Sequence, residues 1–237
     1  MTFATALRTS ELLLAFAFAQ QALEHLAGPP RDRGWFVAQL LFAVSMAAAP
    51  WNGIAHLALL GVSVAILNRF KGPYNGGSDR MRLLLLCCLC AARLAPSPRW
   101  GQIALGYFAV QLLLSYVLAG WVKLVNPEWR SGQALADVFA FSVYPVSDDL
   151  RALASSRQLL VAASWFIILF EVLFPLALVN DTMLQAALAL AFLFHLVNAC
   201  VFGLNRFLWV WAAGYPCLLW FQHEFGWRTL FSLSVFN

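Results

Sequence analysis

The sequence predicts an all-α fold, a polytopic transmembrane helical bundle, and three observations carry that expectation. Of the 237 residues, 62% are hydrophobic and only 11% are charged, a balance that soluble domains rarely show. The apolar residues gather into several long runs without charge, near the length a helix needs to cross hydrocarbon. Little chain is left between these runs. The reading is therefore one transmembrane domain over residues 1–237, with about eight spans and one interfacial amphipathic helix near 128–143. Its core is built helix against helix inside lipid, so the bilayer is its first partner.

The formal net charge is +4, but the basic residues are scattered over short loops. That distribution lacks the single basic patch with interleaved aromatics that nucleic acid requires, so no nucleic-acid partner is expected. The loops after odd-numbered spans hold most of the Lys and Arg, which by the positive-inside tendency places both termini outside the cytoplasm. Among the five cysteines, Cys87, Cys88, Cys90 and Cys200 sit in apolar runs, where a disulfide framework is not expected.

The first apolar run, Glu11 to Ala27, reads as span one rather than a cleavable signal, because no small-x-small site follows it. Gly28-Pro29-Pro30 ends it. Its polar end, Gln20, Gln21, Glu24 and His25, belongs at the interface or toward the bundle. Spans two (Trp35 to Ala49) and three (Ile54 to Leu67) form a hairpin through the turn sequence Pro50-Trp51-Asn52-Gly53, with His56 near the start of span three as a partnered or interfacial histidine. Asn68 to Arg82, rich in glycine and basic side chains, is expected to be a loop. Span four, Met81 to Ala95, carries Cys87 and Cys90 at helical i, i+3 spacing, on a face that Cys88 does not share. Two converging thiolates would suit a soft metal, while free cysteines also serve as small buried hydrophobes.

Span five, Trp100 to about Leu124, is followed by Pro127, after which Glu128 to Val143 restarts as the interfacial helix with Leu135, Val138 and Phe139 on one face and Asp137 between them. Along span five, Tyr107, Gln111, Ser115, Ala119 and Lys123 recur every four residues and form a slowly drifting stripe that ends in an amine. A polar stripe of that kind wants protein, not lipid. Span six, Leu159 to Val179, holds Glu171, and an intramembrane carboxylate costs about 2.5 to 3.5 kcal/mol on insertion scales unless it is paired or protonated. It is expected to face His195 or another polar group. Span seven, Met183 to Gly203, carries His195 and Asn198 on one face, and span eight runs from Phe207 to Gln222.

Two segments also carry a family likeness. Tyr116, Ala119, Gly120, Lys123, Leu124, Trp129 and Gly132, followed downstream by Phe194, His195, Asn198, Phe202 and Gly203, resemble the vitamin K-dependent gamma-carboxylase-like membrane family, whose bacterial branch is called HTTM. The resemblance implies a multi-pass protein of the bacterial cytoplasmic membrane. It matches Lys123 to the family's lysine associated with deprotonating a reduced quinone, and so implies a quinone or hydroquinone as the molecule acted upon. A carboxylase of this family has a histidine in an Asn-Asn-His-Ser-like motif. Here Tyr74-Asn75-Gly76-Gly77-Ser78 has glycine in that place, so glutamate carboxylation itself is not expected.

Chemically, an ammonium cannot accept a proton, so a basic lysine needs surroundings that favour the neutral amine, as burial in low dielectric does. Lys123 is the candidate catalytic residue, with Tyr107, Gln111, Glu171, His195 and Asn198 as candidate substrate-binding residues and no metal ligand expected. The bland reading of Lys123 is an amine that reaches from a helix end to headgroups. Two function classes stay open. One is an enzyme acting on a quinone-like or other lipid-soluble small molecule among spans five to seven. The other is a non-catalytic membrane assembly partner or carrier, or a soft-metal transporter using Cys87 and Cys90.

Overall fold

A computed structural model describes residues 1–28, 32–49, 53–69, 76–141, 152 and 155–225. Among them the regular structure is helical throughout: α1 (Phe3–Ala27), α2 (Arg33–Ala48), α3 (Gly53–Arg69), α4 (Gly76–Leu94), α5 (Pro98–Val125), α6 (Pro127–Arg130), α7 (Gln133–Phe141), α8 (Arg157–Leu173), a 3-10 segment (Phe174–Val179), α9 (Asp181–Phe202) and α10 (Asn205–Phe225). The chain divides into two compact units, one formed by Met1–Val110 with Arg206–Asn237 and one by Gln111–Asn205.

In the first unit α1 packs on α2, α2 on α3, and α4 on both α3 and α1. Ala22, Phe36 and Ile66 form a buried cluster with Leu26, Trp35, Leu40 and Val62 packed around it. The unit also contains α10, which meets α1 through Phe3 against Trp220 and Phe16 against Trp209, both edge to face. Charge lies deep in this unit. Glu11 is fully buried, and its carboxylate accepts from Arg93 at 2.5 and 2.6 Å, from His56 at 3.0 Å and from Arg8 at 3.4 Å. Arg8 also donates to the carbonyls of Met46 and Ala47, satisfying groups that the end of α2 leaves open. A second buried knot joins Arg82 to Asp79 at 3.0 Å and to Gln21, with the Arg82 guanidinium 4.6 Å above the Phe18 ring. Gln21 is thus turned inward while Glu24 is exposed, which splits the polar end of span one between bundle and surface.

Two expectations need correction, and the span count is supported in part. Of the eight anticipated spans, three described segments are long and apolar enough to cross a membrane: Pro98–Val125, Arg157–Val179 and Asp181–Phe202. Helices α2 and α3 have 16 and 17 residues, about 24 to 26 Å at 1.5 Å per residue, which is short of a hydrocarbon core of roughly 30 Å. The loop expected over Asn68 to Arg82 is in part helix, since Asn68 and Arg69 end α3 and Gly76 opens α4. Gly77 lies against Phe207, where a Cβ would come within 3.1 Å of the ring, so its glycine serves packing rather than a turn. The single helix expected over Glu128 to Val143 is two, α6 and α7, parted at Gly132, whose φ is +79°. Val143, the turn residues Pro50 to Asn52, and Pro29-Pro30 lie outside the described residues.

The second unit contains α5 from Gln111 onward, α6 to α9 and the 3-10 segment. Helix α8 contacts both α6 and α7, and α9 contacts the 3-10 segment. The change from α-helix to 3-10 helix at Phe174 coincides with Pro175, which cannot donate to the preceding turn and whose ring crowds it.

Candidate functional site

The site is assembled where α5 ends. Asn126 caps α6 by accepting from the Glu128 amide at 2.9 Å, and Pro127 occupies the first helical position, where its missing N–H costs nothing. The chain therefore turns immediately after Val125 and brings Trp129 back toward Lys123, whose Nζ lies 5.3 Å from the centroid of the indole ring. The Trp129 carbonyl accepts from Ser164 of α8, and Gly132 presses so closely on Val161 that a Cβ would come within 2.9 Å of its backbone nitrogen. These two contacts anchor α6 and the following turn to α8.

Gly120 sets the partner of Lys123. A Cβ there would come within 2.7 Å of the Val172 backbone nitrogen and 2.9 Å of Glu171 Cβ, so only glycine lets α5 and α8 approach this closely. One turn later along α5, Lys123 donates to Glu171 Oε2 at 2.5 Å and to the Ala119 carbonyl at 3.3 Å. The two side chains keep only 16% and 6% of their surface exposed, so the charge stays paired and sheltered. Glu171 thus faces a polar group, as an intramembrane carboxylate must, and that group is Lys123 rather than His195.

His195 meets Tyr116 instead. The two are buried, with Tyr116 Oη and His195 Nε2 3.1 Å apart, and the tyrosine ring stacks on Phe174 at 4.0 Å. Tyr116 stands seven residues before Lys123, two turns back on nearly the same helix face. Asn198 lies near the end of α9, and its carbonyl accepts from the Gly203 and Leu204 amides around a left-handed Gly203, φ +65°.

Lys123 and Asn198 line one cavity of about 680 Å³, together with Trp129, Leu135, Asp137, Val138, Phe141, Ile167, Phe194, Phe202 and Leu204. Its wall is mostly aromatic and aliphatic, with Lys123, Asp137 and Asn198 as its polar members, the usual composition of a small-molecule site. Asp137 is held by Gln133, which donates at 2.7 Å one turn earlier on α7, and α7 is tied to α9 by the edge-to-face pair Phe139 and Phe202.

Of the residues singled out in the sequence, the structure brings Lys123 to Glu171 and places Lys123 and Asn198 on a common cavity. Gln111 is half-buried, and Tyr107 belongs to the first unit and is 52% exposed. The polar stripe is therefore exposed at Tyr107 and half-buried from Gln111 to Lys123. The sequence offers Tyr116 and Trp129 as part of the family likeness and Asp137 as part of the interfacial helix, but none of the three as a site residue. Tyr116 had a signal in its two-turn offset from Lys123, and Asp137 had one in the i, i+4 pair with Gln133. Cys87 is exposed while Cys88 and Cys90 are buried. Cys87 and Cys90 stand about 60° apart around the helix, across the edge of the buried face that Leu85, Leu86 and Leu89 define. Among the described residues no three His, Cys, Asp or Glu side chains converge as a metal site would need.

A family model described as the HTTM domain matches residues 90–224, more than half of the chain. No curated protein and no solved structure matches it.

Proposed function

Because the chain belongs to the HTTM family, we propose that this membrane protein acts on a lipid-soluble, quinone-like substrate held in the Lys123 cavity. One observation carries the reading: a lysine and a glutamate 2.5 Å apart, with the lysine opening onto an otherwise largely apolar cavity. A headgroup anchor would turn its ammonium outward, whereas Lys123 keeps its amine on a sheltered carboxylate beside the cavity. A group that gives and takes a proton also needs a partner of this kind within reach.

In the charged form the ammonium and carboxylate satisfy each other. Passing one proton from Lys123 to Glu171 leaves an amine and a carboxylic acid, with no net charge created in a low-dielectric site. The amine then accepts the proton of a substrate hydroxyl, regenerating the ammonium beside the new oxyanion, which it stabilises. Trp129 and the phenylalanines of the wall hold an apolar ring or chain in place. Protein glutamate carboxylation is not part of the proposal, since the family's histidine is replaced in the stretch around Gly77. The bacterial cytoplasmic membrane is the expected location.

The test compares Lys123→Arg with Lys123→Ala, scored by small molecules retained through detergent purification and by a host phenotype at matched expression. A guanidinium stays protonated and cannot serve as the base. Both variants are expected to lose function to the same degree, and a silent arginine variant would reject the reading. Unbiased mass spectrometry of the wild-type protein should find a quinone-like molecule. Retention of a thiophilic metal, lost on replacing Cys87 and Cys90, would point to transport instead.

A further inference from the structure

We infer that Asp137 is the specificity-determining residue of the Lys123 cavity and that the ligand admitted there carries an uncharged, hydroxyl-bearing head. The inference rests on the reading of that cavity as the substrate site, and it names the chemical class the site selects.

Charge decides which heads the cavity can take. The charged side chains lining it are Lys123 and Asp137. The charge of Lys123 is already answered by Glu171 at 2.5 Å, so an entering anion finds no uncompensated cation to pair with. It finds instead the carboxylate of Asp137, supported by a hydrogen bond from Gln133 at 2.7 Å. Gln133 is exposed and Asp137 half-buried, so this carboxylate is the less sheltered of the two that an anion would meet near Lys123. Specificity of this kind comes from a repulsive element as much as from an attractive one.

A cationic head fares no better. An aromatic wall with one carboxylate is the usual setting for an ammonium, but the face of Trp129 is already occupied by the Lys123 ammonium, 5.3 Å from the ring centroid. A second cation would sit beside the first. What remains is a neutral head that can exchange hydrogen bonds with Lys123 and with the Asn198 amide while its apolar part lies against Phe194 and Phe202. A hydroxyl fits, and it is also the group whose proton a lysine base would take.

The test uses one alkenyl chain with three heads: oleyl alcohol, oleyl phosphate and oleyl trimethylammonium, each exchanged into the detergent-purified protein and counted by native mass spectrometry. Wild-type protein is expected to retain the alcohol over either charged form by about tenfold or more. Asp137→Asn should raise retention of the phosphate relative to the alcohol by about the same factor, while Asp137→Glu keeps the wild-type ranking. A denaturant midpoint equal to that of the wild type is the control that the variant folds. Equal retention of phosphate and alcohol by wild-type protein overturns the inference without any variant, as does preference for the ammonium. If the alcohol is retained and lost in Lys123→Ala, but Asp137→Asn still excludes the phosphate, only the role of Asp137 falls. If wild-type protein retains none of the three, the cavity reading falls and this one with it.

Discussion

Replacing Gly120 with alanine should destabilise the second unit, although intrinsic helix propensity argues for the opposite. Alanine is favoured over glycine by about 0.8 to 1 kcal/mol in a helix interior, and Gly120 lies well inside α5. At this position, however, the added methyl would come within 2.7 Å of the Val172 nitrogen and 2.8 Å of Val172 Cγ2. The first is backbone and cannot rotate away, so α5 and α8 must part by roughly 0.7 Å before the contact reaches the ordinary 3.4 Å. Overpacking of that size costs about 1 to 3 kcal/mol, which outweighs the propensity gain over most of its range. The same movement stretches the 2.5 Å contact between Lys123 and Glu171, so the change should also weaken ligand retention. The molecule supplies its own control. Gly61 stands in the middle of α3 with no atom beyond its own stretch of helix within 4 Å of the position an alanine methyl would take, so Gly61→Ala should be neutral or stabilising by up to about 1 kcal/mol. Denaturant unfolding of the detergent-solubilised variants reads both. A Gly120→Ala protein as stable as wild type, or more so, would refute the close approach of α5 and α8 from which the Lys123–Glu171 geometry follows.

Glu11→Leu should cost about 3 to 5 kcal/mol, since it strands Arg93 and His56 around a buried, uncompensated site; adding Arg93→Leu should recover part of the loss in the same unfolding assay. Gly132→Ala should lower stability by at least about 1 to 2 kcal/mol, because it combines a positive φ with a close contact to Val161, and it should also release Trp129 from its place, visible as a change in tryptophan fluorescence. Tyr116→Phe keeps the stack on Phe174 but removes the hydroxyl facing His195, and should cost about 1 kcal/mol with little change in ligand retention.

The helices that follow from length and apolarity alone were legible in the sequence: α5, α8 with its 3-10 extension, and α9 lie close to where their uninterrupted runs place them. Features set by distant partners were not. Glu11 looks like a charge that interrupts a span, and it is buried because Arg93, 82 residues away, and His56, 45 residues away, come to meet it. Gly76-Gly77 reads as a turn, yet it opens a helix, with Asp79 in its first turn and Arg82 paired to it. Ser131-Gly132 shows no stronger break than other Gly-containing stretches, and its left-handed turn belongs with a contact to Val161 that local pattern does not contain. The site divides in the same way. Lys123 and Glu171 each stood out as costly charges in apolar runs, but their pairing depends on Gly120, whose lack of a side chain matters only once α8 is beside it.

Buried charge therefore has two different settings in this chain, and the difference bears on where chemistry can occur. In the first unit Glu11 accepts from several donors and Arg82 is held by Asp79, Gln21 and the Phe18 ring. Groups bound on so many sides specify packing and have little freedom to exchange a proton or a partner. In the second unit the Lys123 amine has one carboxylate, one carbonyl and one indole face beside it, and it also borders open volume. A lysine with three donors and a cavity next to it keeps capacity for a further contact, which arginine in a closed network does not. That less constrained pair lies on α5 and α8, two of the three segments among the described residues that are long and apolar enough to cross a membrane, so under the proposed function the amine is reached from the hydrocarbon side by molecules that dissolve there.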